Sequence, residues 1–243
     1  VNLGATAIGT TVTAAPGYPE LAVKNLAELT GIDFKNSEDL IAATSDCGAY
    51  MTLSSAIKGL AVKMTKVCND IRLLASGPRC GLKEINLPQL QPGSSIMPGK
   101  VNPVAAEVAN QASFLAIGLD TTVMLAASAG QLELNVMEPV ITFALYTQMK
   151  VMTNACDTLR TKLVEGVTAN TERCKDYVMN SIGIVTLLKP HFGYQKCAAI
   201  AKEGYTTGKS LHQIVVDEQH LMTQAEWDAT FNTQNLIHPK FVK

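Results

Sequence analysis

The chain has 243 residues, a formal net charge of −1, and only 17% charged residues against 47% hydrophobic ones. That length carries one large domain, or a large and a small one, with ample apolar material for a core. The near-neutral balance, without a basic run or an RNA-binding aromatic pattern, removes the electrostatic case for nucleic acid, and no stretch reads as a membrane span or signal peptide.

So few charges cannot cover the surface of one subunit, which predicts extensive helix-to-helix or subunit-to-subunit burial. The six cysteines (Cys47, Cys68, Cys80, Cys156, Cys174, Cys197) never approach Cys-x-x-Cys spacing. They predict buried, reduced thiols in a cytoplasmic protein, with no metal site.

In chain order, residues 1–19 are uncharged and rich in Gly, Thr and Pro. The chain opens without a methionine and in mid-pattern, which reads as a piece of a longer polypeptide. A short helical pattern covers 22–29, and 31–34 leads into a long one over 37–75, with Ser37 and Asp39 serving its N-terminus and Glu38 in its first turn. In it Leu53, Ile57, Leu60, Met64, Val67, Ile71 and Leu74 alternate spacings of four and three, an a/d seam. A helix of that length would reach roughly 55 Å.

A second helix is predicted from Asn102 as N-cap and Pro103 as first residue, with a stripe of Val104, Val108, Ala112, Leu115, Leu119 and Val123 and a stop at Gly130. A third opens after Pro139, repeats the seam in Leu145, Met149, Met152, Cys156, Leu159 and Leu163, and ends at Gly166. Its methionines read as packing. Beyond Asn170 the patterns shorten, to 171–179, 194–204, 210–217 and 224–231. Strand patterns are nearly absent. The expected fold is all-α: an elongated helical bundle over 1–168 and a small α domain over 169–243.

Between the first two long helices lies Gly93-Ser94-Ser95-Ile96-Met97-Pro98-Gly99-Lys100-Val101-Asn102-Pro103. No charge occurs from Ile85 to Gly99, so Lys100 stands alone in the sequence at the loop's exit. A serine hydroxyl is a poor base unless its alkoxide is stabilised. Inward backbone N–H groups near 93–95, the Lys100 cation and the following helix N-terminus are available to do so, and would equally hold a carboxylate. Ser-Ser beside Gly and Pro is also ordinary turn composition, Asn-Pro ordinary capping, and Lys100 can be a solvated charge. Spacing alone leaves both readings open. Met-rich and histidine positions add nothing: His191, His212, His220 and His238 suit packing, capping or exposed roles.

That eleven-residue run closely resembles the signature loop of the aspartase/fumarase superfamily. The likeness extends to Val1-Asn2-Leu3-Gly4-Ala5-Thr6-Ala7-Ile8-Gly9-Thr10 and across the chain. Pro103-Val104, Glu107-Val108, Asn110-Gln111, Asn180-Ser181-Ile182-Gly183-Ile184-Val185-Thr186, Thr207-Gly208-Lys209-Ser210 and Asn235-Leu236-Ile237-His238-Pro239 resemble its ammonia-eliminating branch more than its fumarases. The resemblance implies reversible elimination of ammonia from L-aspartate to give fumarate, without a cofactor. It implies Ser94 as the general base, Ser95 binding the enolate-like carboxylate, Lys100 and Asn102 binding a substrate carboxylate, and Glu107 as partner of a histidine from another segment, or else a plain helix-start carboxylate.

The resemblance further implies a homotetramer with sites shared between subunits. It needs segments N-terminal to this sequence, so the chain alone would be inactive. Fumarase-type hydration acting on malate, and an inactive structural bundle of the same superfamily, are the alternatives. Thr11 departs from the pattern, which usually has glycine there.

Overall fold

A computed structural model describes residues 1–94 and 96–238. The fold is all-α. Strand structure among the described residues is limited to the short pair β1 (Ile85–Asn86) and β2 (Thr168–Ala169) and one isolated bridge, Gln131–Leu134. The chain forms two compact units, Val1–Thr168 and Ala169–Lys243.

The first unit holds α1 (Tyr18–Thr30), α2 (Leu40–Ala43), α3 (Gly48–Leu74), α4 (Val104–Ser128) and α5 (Glu138–Lys162). The single helix expected over 37–75 is broken. Asp39 caps the short α2 by accepting from the N–H groups of Ile41 and Ala42. The Thr44 hydroxyl then lies 2.8 Å from the Ile41 carbonyl and 2.7 Å from that of Glu133. Asn135 N–H donates to the Thr44 carbonyl at 3.2 Å. Local side-chain bonds and this tie to the 131–135 turn outcompete helix propagation. The helix restarts where the Asp46 carboxylate accepts from Gly48 N–H at 2.9 Å. The resulting α3 has 27 residues, about 40 Å of helix rather than 55.

The seam read from the sequence also divides. Within the unit α3 buries Ser54, Ala61, Met64 and Cys68, flanked by Ile57 and Ile71. Leu53, Leu60 and Val67 stay 44–53% exposed. One heptad stripe therefore packs inside the chain and a second, seven-spaced, faces outward. On α4 the buried face is small (Ala105, Ala106, Ala109, Ser113, Ala116), whereas Val108 and Leu115 of the expected stripe are exposed, as is Phe114. Small inward residues let α4 pack closely against both α3 and α5. By length and hydropathy α4 would pass for a membrane-crossing helix, yet its inward face also carries Asn110 and Asp120, both hydrogen-bonded to α3. On α5, Met152 is buried, but Met149 and Cys156 of the expected seam are exposed. Cys80 is exposed too, so the thiols are not uniformly core.

Polar groups set the register of the three helices. Ser54 donates to Asp120 Oδ1 at 2.8 Å, Lys58 lies against Asp120 Oδ2, and the Gln148 amide donates to Ser54 Oγ at 3.1 Å and to the Ala116 carbonyl at 2.9 Å. Further along, Asn110 donates to Asn69 Oδ1 at 2.8 Å. As numbers rise on α3 their partners on α4 fall, so the two helices run antiparallel.

The second unit holds α6 (Thr171–Met179), α7 (Lys189–Thr207), α8 (Gln224–Thr230) and α9 (Thr233–Ile237). A capping box between Thr223 and Glu226 starts α8. Its core gathers Leu188, Ile200, Ile214, Trp227 and Phe231. His212 meets the Trp227 edge at 5.1 Å and bonds Gln224 at 2.8 Å, a packing role.

Two stability predictions follow from these contacts. Burial pushes the Asp120 carboxyl up, but the bonds from Lys58 and Ser54, the Lys58 charge and Ser55 together hold it below the ordinary carboxylate value. Such a depressed group stabilises fully above its unfolded pKa and loses that contribution as pH falls through its folded one. Asp120→Ala is expected to lower unfolding free energy by about 2 kcal/mol at neutral pH, with parent and variant converging in acid, as read by urea titration. Thr11 sits at φ 59°, the left-handed region where a β-branched residue is strained. Thr11→Gly is expected to raise stability by about 0.5–1 kcal/mol in the same assay.

Candidate active site

The loop between β1 and α4 is pinched at its base. A Cβ on Gly93 would stand 1.6 Å from the Lys100 carbonyl oxygen and 3.1 Å from Val101 N, so only glycine lets the two backbone strands approach this closely. The Asn102 side-chain amide then donates to the Gly93 carbonyl and ties the ends together. Within the loop Gly99 takes φ 76° and Lys100 N–H donates to the Met97 carbonyl at 3.3 Å.

Ser94 sits at this base, half-buried. Its Oγ accepts from the backbone N–H groups of Ile96 at 3.1 Å and Met97 at 3.0 Å. Two donors aimed at one hydroxyl oxygen favour negative charge on it, since hydrogen bonds to an anionic acceptor are roughly twice as strong as neutral ones. The second serine, Ser95, lies outside the described residues.

Lys100, Asn102 and Glu107 line one cleft of about 800 Å³ between the end of α3, the 76–83 loop and the start of α4. Ser94 is not part of its lining. Asn102 does not cap α4: Pro103 occupies the N-cap position without a side-chain bond, and the Asn102 amide is turned back to the loop. Glu107 stands in the first turn of α4.

Sequence reasoning missed two cations. Lys100 is isolated along the chain but not in space, because Arg72 from the end of α3 and Lys83 from the 76–83 loop line the same cleft. The available signal was the boundary of the charge-free stretch: the Lys83-Glu84 pair precedes it and Lys100 ends it. A chain that returns at its base to where it left brings both flanks together.

A helical bundle bearing a Gly/Pro-bounded serine loop over a cationic cleft is the architecture of a lyase of the fumarase type. Accordingly, a family model described as "Lyase" matches residues 1–118, and one described as "Fumarase C C-terminus" matches residues 184–238. The chain belongs to the aspartase/fumarase superfamily. It is 57% identical over 241 residues to the aspartate ammonia-lyase of Escherichia coli (strain K12), covering 99% of this chain and 50% of that protein. It is 52% identical to the Helicobacter pylori (strain ATCC 700392 / 26695) aspartate ammonia-lyase, over all of this chain and 52% of the relative.

Among solved structures, the class II fumarase of Schistosoma mansoni superposes with a TM-score of 0.90 at 31% identity, covering 98% of this chain and 53% of that one. A Brucella melitensis fumarate lyase:delta crystallin bound to cobalt gives 0.89 at 42%, covering 95% and 50%. The chain thus spans about half the length of the relatives it matches.

Gly93→Ala tests the pinch. The added methyl must drive the loop ends apart, so the variant is expected to be cut faster within 93–100 in limited proteolysis, with thermal unfolding of the helical bundle little changed.

Proposed function

We propose that this chain supplies the catalytic lid and one wall of the active site of a lyase that reversibly eliminates ammonia from L-aspartate to give fumarate. The observation that carries this reading is the Ser94 oxygen held by two backbone N–H donors on a loop that closes at Gly93 and Lys100. On this reading the Ser94 alkoxide takes a proton from the β-carbon of the substrate. The C–H electron pair moves into the adjacent carboxylate, which becomes a doubly charged aci-form, and then returns to form the double bond as the C–N bond breaks and ammonia leaves. Ser95 would bind that carboxylate, Lys100 and Asn102 would hold substrate, and Glu107 would orient a group brought by another segment. Proton chemistry of this kind draws its stabilisation from fixed donors and charges, without a cofactor.

The same reading makes the protein a homotetramer with shared sites. Leu53, Leu60 and Val67 on α3, Phe114 and Leu115 on α4 and Phe143 and Tyr146 on α5 form outward apolar faces that a lone subunit would leave to water. The missing half of the site would come from segments matching the other half of the relatives.

The test is a chimera in which this chain replaces the matching half of the Escherichia coli relative. Fumarate formation from L-aspartate, with L-malate in parallel, is expected from aspartate only. Turnover of malate alone would make it a hydratase, and turnover of neither would leave a structural bundle. In that chimera Ser94→Ala is expected to lower kcat by about three orders of magnitude with KM little changed. The 243-residue chain by itself is expected to show no deamination.

A further inference from the structure

Arg72 stands in the last turn of α3 and lines the cleft with Lys100, Asn102 and Glu107. A cation suits a helix C-terminus for the dipole alone. What sets this one apart is the support behind its guanidinium. Arg72 Nη1 donates to Asn69 Oδ1 at 3.4 Å, and the Asn110 side-chain amide donates to that same oxygen at 2.8 Å. Asn69 and Arg72 are three residues apart and share one face of α3. Asn69 is exposed, whereas Asn110 is only 3% exposed. One carboxamide oxygen therefore ties a guanidinium at the cleft to a side chain inside the bundle.

The polarity of this relay is dictated from the cleft. A guanidinium only donates, so Asn69 must turn its oxygen toward Arg72. Of the Asn110 carboxamide, that oxygen can take only the NH2 group. The Asn110 Oδ1 is left buried, with no hydrogen-bond partner among the described residues. Buried polar groups are normally paired, and an orphan acceptor calls for a reason. A tie that only fixed helix register would work with either polarity. Direction matters if the group at the outer end is a donor that has to be held in place.

We propose that Asn110 and Asn69 are positioning residues that act through Arg72, fixing its guanidinium in the cleft before the reaction begins. The inference rests on the lyase reading above. In the elimination proposed there, one carboxylate goes from a single negative charge to two as the proton leaves carbon. A cation fixed in the same cleft stabilises that transition state more than the bound substrate, and does so best when it need not reorganise. Loss of the relay then shows in kcat rather than in KM.

The experiment uses the chimera carrying Arg72→Gln, Arg72→Lys, Asn69→Ala and Asn110→Ala, with each asparagine variant also combined with Arg72→Gln. Arg72→Gln is expected to lower kcat for L-aspartate about thirtyfold, with KM within about threefold. Arg72→Lys recovers part of that loss, because the charge returns without the planar fork. Asn69→Ala is expected to lower kcat about fivefold. It also leaves the buried Asn110 amide without its acceptor, so the thermal midpoint falls slightly, and by the same amount with or without Arg72. The kcat loss behaves differently. A residue that works through Arg72 has nothing left to lose once Arg72 is gone, so Asn69→Ala added to Arg72→Gln is expected to cost less than about twofold more. Asn110→Ala follows the same pattern, and Asn69→Ala carries the test where that variant fails to fold.

An unaltered kcat in Asn69→Ala overturns the proposal, as does one unmoved by Arg72→Gln. So does a kcat loss that persists in full in the Arg72→Gln background, because that pattern marks a structural asparagine. The parent chimera separates this inference from the reading beneath it. A parent that turns over neither aspartate nor malate sinks the lyase reading and the relay with it, whereas an active parent beside an unaltered Asn69→Ala sinks the relay alone.

Discussion

The register of α3 against α4 is the constraint on which the site depends. Two polar ties set it: the Ser54–Asp120–Lys58 cluster with Gln148, and the Asn69–Asn110 pair. From Asn69 to Arg72 is most of a turn of α3, and from Asn110 back to Glu107 most of a turn of α4. The second tie therefore brings the α3 turn carrying Arg72 and the α4 turn carrying Glu107 to one cleft. Apolar packing alone would not select this register. The α4 inner face is mostly alanine, and alanine ridges slide past one another with little penalty. A buried carboxylate cannot slide, because leaving it unpaired costs far more than a shifted methyl contact.

The loop works by the same logic at smaller scale. Gly93 allows an approach that no side chain would permit, and the approach turns the intervening residues into a closed loop whose N–H groups point back at Ser94. Two N–H groups therefore reach the Ser94 oxygen with no ligand present, an arrangement that suits the base role proposed for it. Ser94 stays outside the cleft lining, whereas Lys100 and Asn102, farther along the same loop, are part of it.

The fold class and the loop were legible in the sequence because their signals are local: heptad spacing, Gly and Pro punctuation, and a run of residues whose composition is hard to reach by chance. What was not legible depended on what faces what. Leu53, Leu60 and Val67 read as core because hydropathy reports only that a face is apolar, whereas the stripe buried within the chain runs through Ser54, Ala61 and Cys68, one residue along. With apolar residues on two adjacent stripes of α3, hydropathy does not say which of them faces the chain's own helices. The break at 44–47 was hidden for another reason. It is fixed by Thr44 reaching Glu133, a contact 89 residues away, that propensity cannot see. Thr11 is the converse case, a departure from the pattern whose left-handed φ gives it a physical meaning.

The inward and outward faces of the bundle belong to one economy of size. Close approach of α3, α4 and α5 requires small residues between them, so the large apolar side chains (Leu115, Phe114, Tyr146) are displaced to the outer faces. With only 17% of residues charged, the first unit has little else to cover those faces. A subunit built this way has a reason to assemble that precedes any catalytic reason. On the shared-site reading proposed above, catalysis did not have to create the interface; it needed only to place a serine loop and the Lys100 cation at the edge of a face that packing leaves apolar.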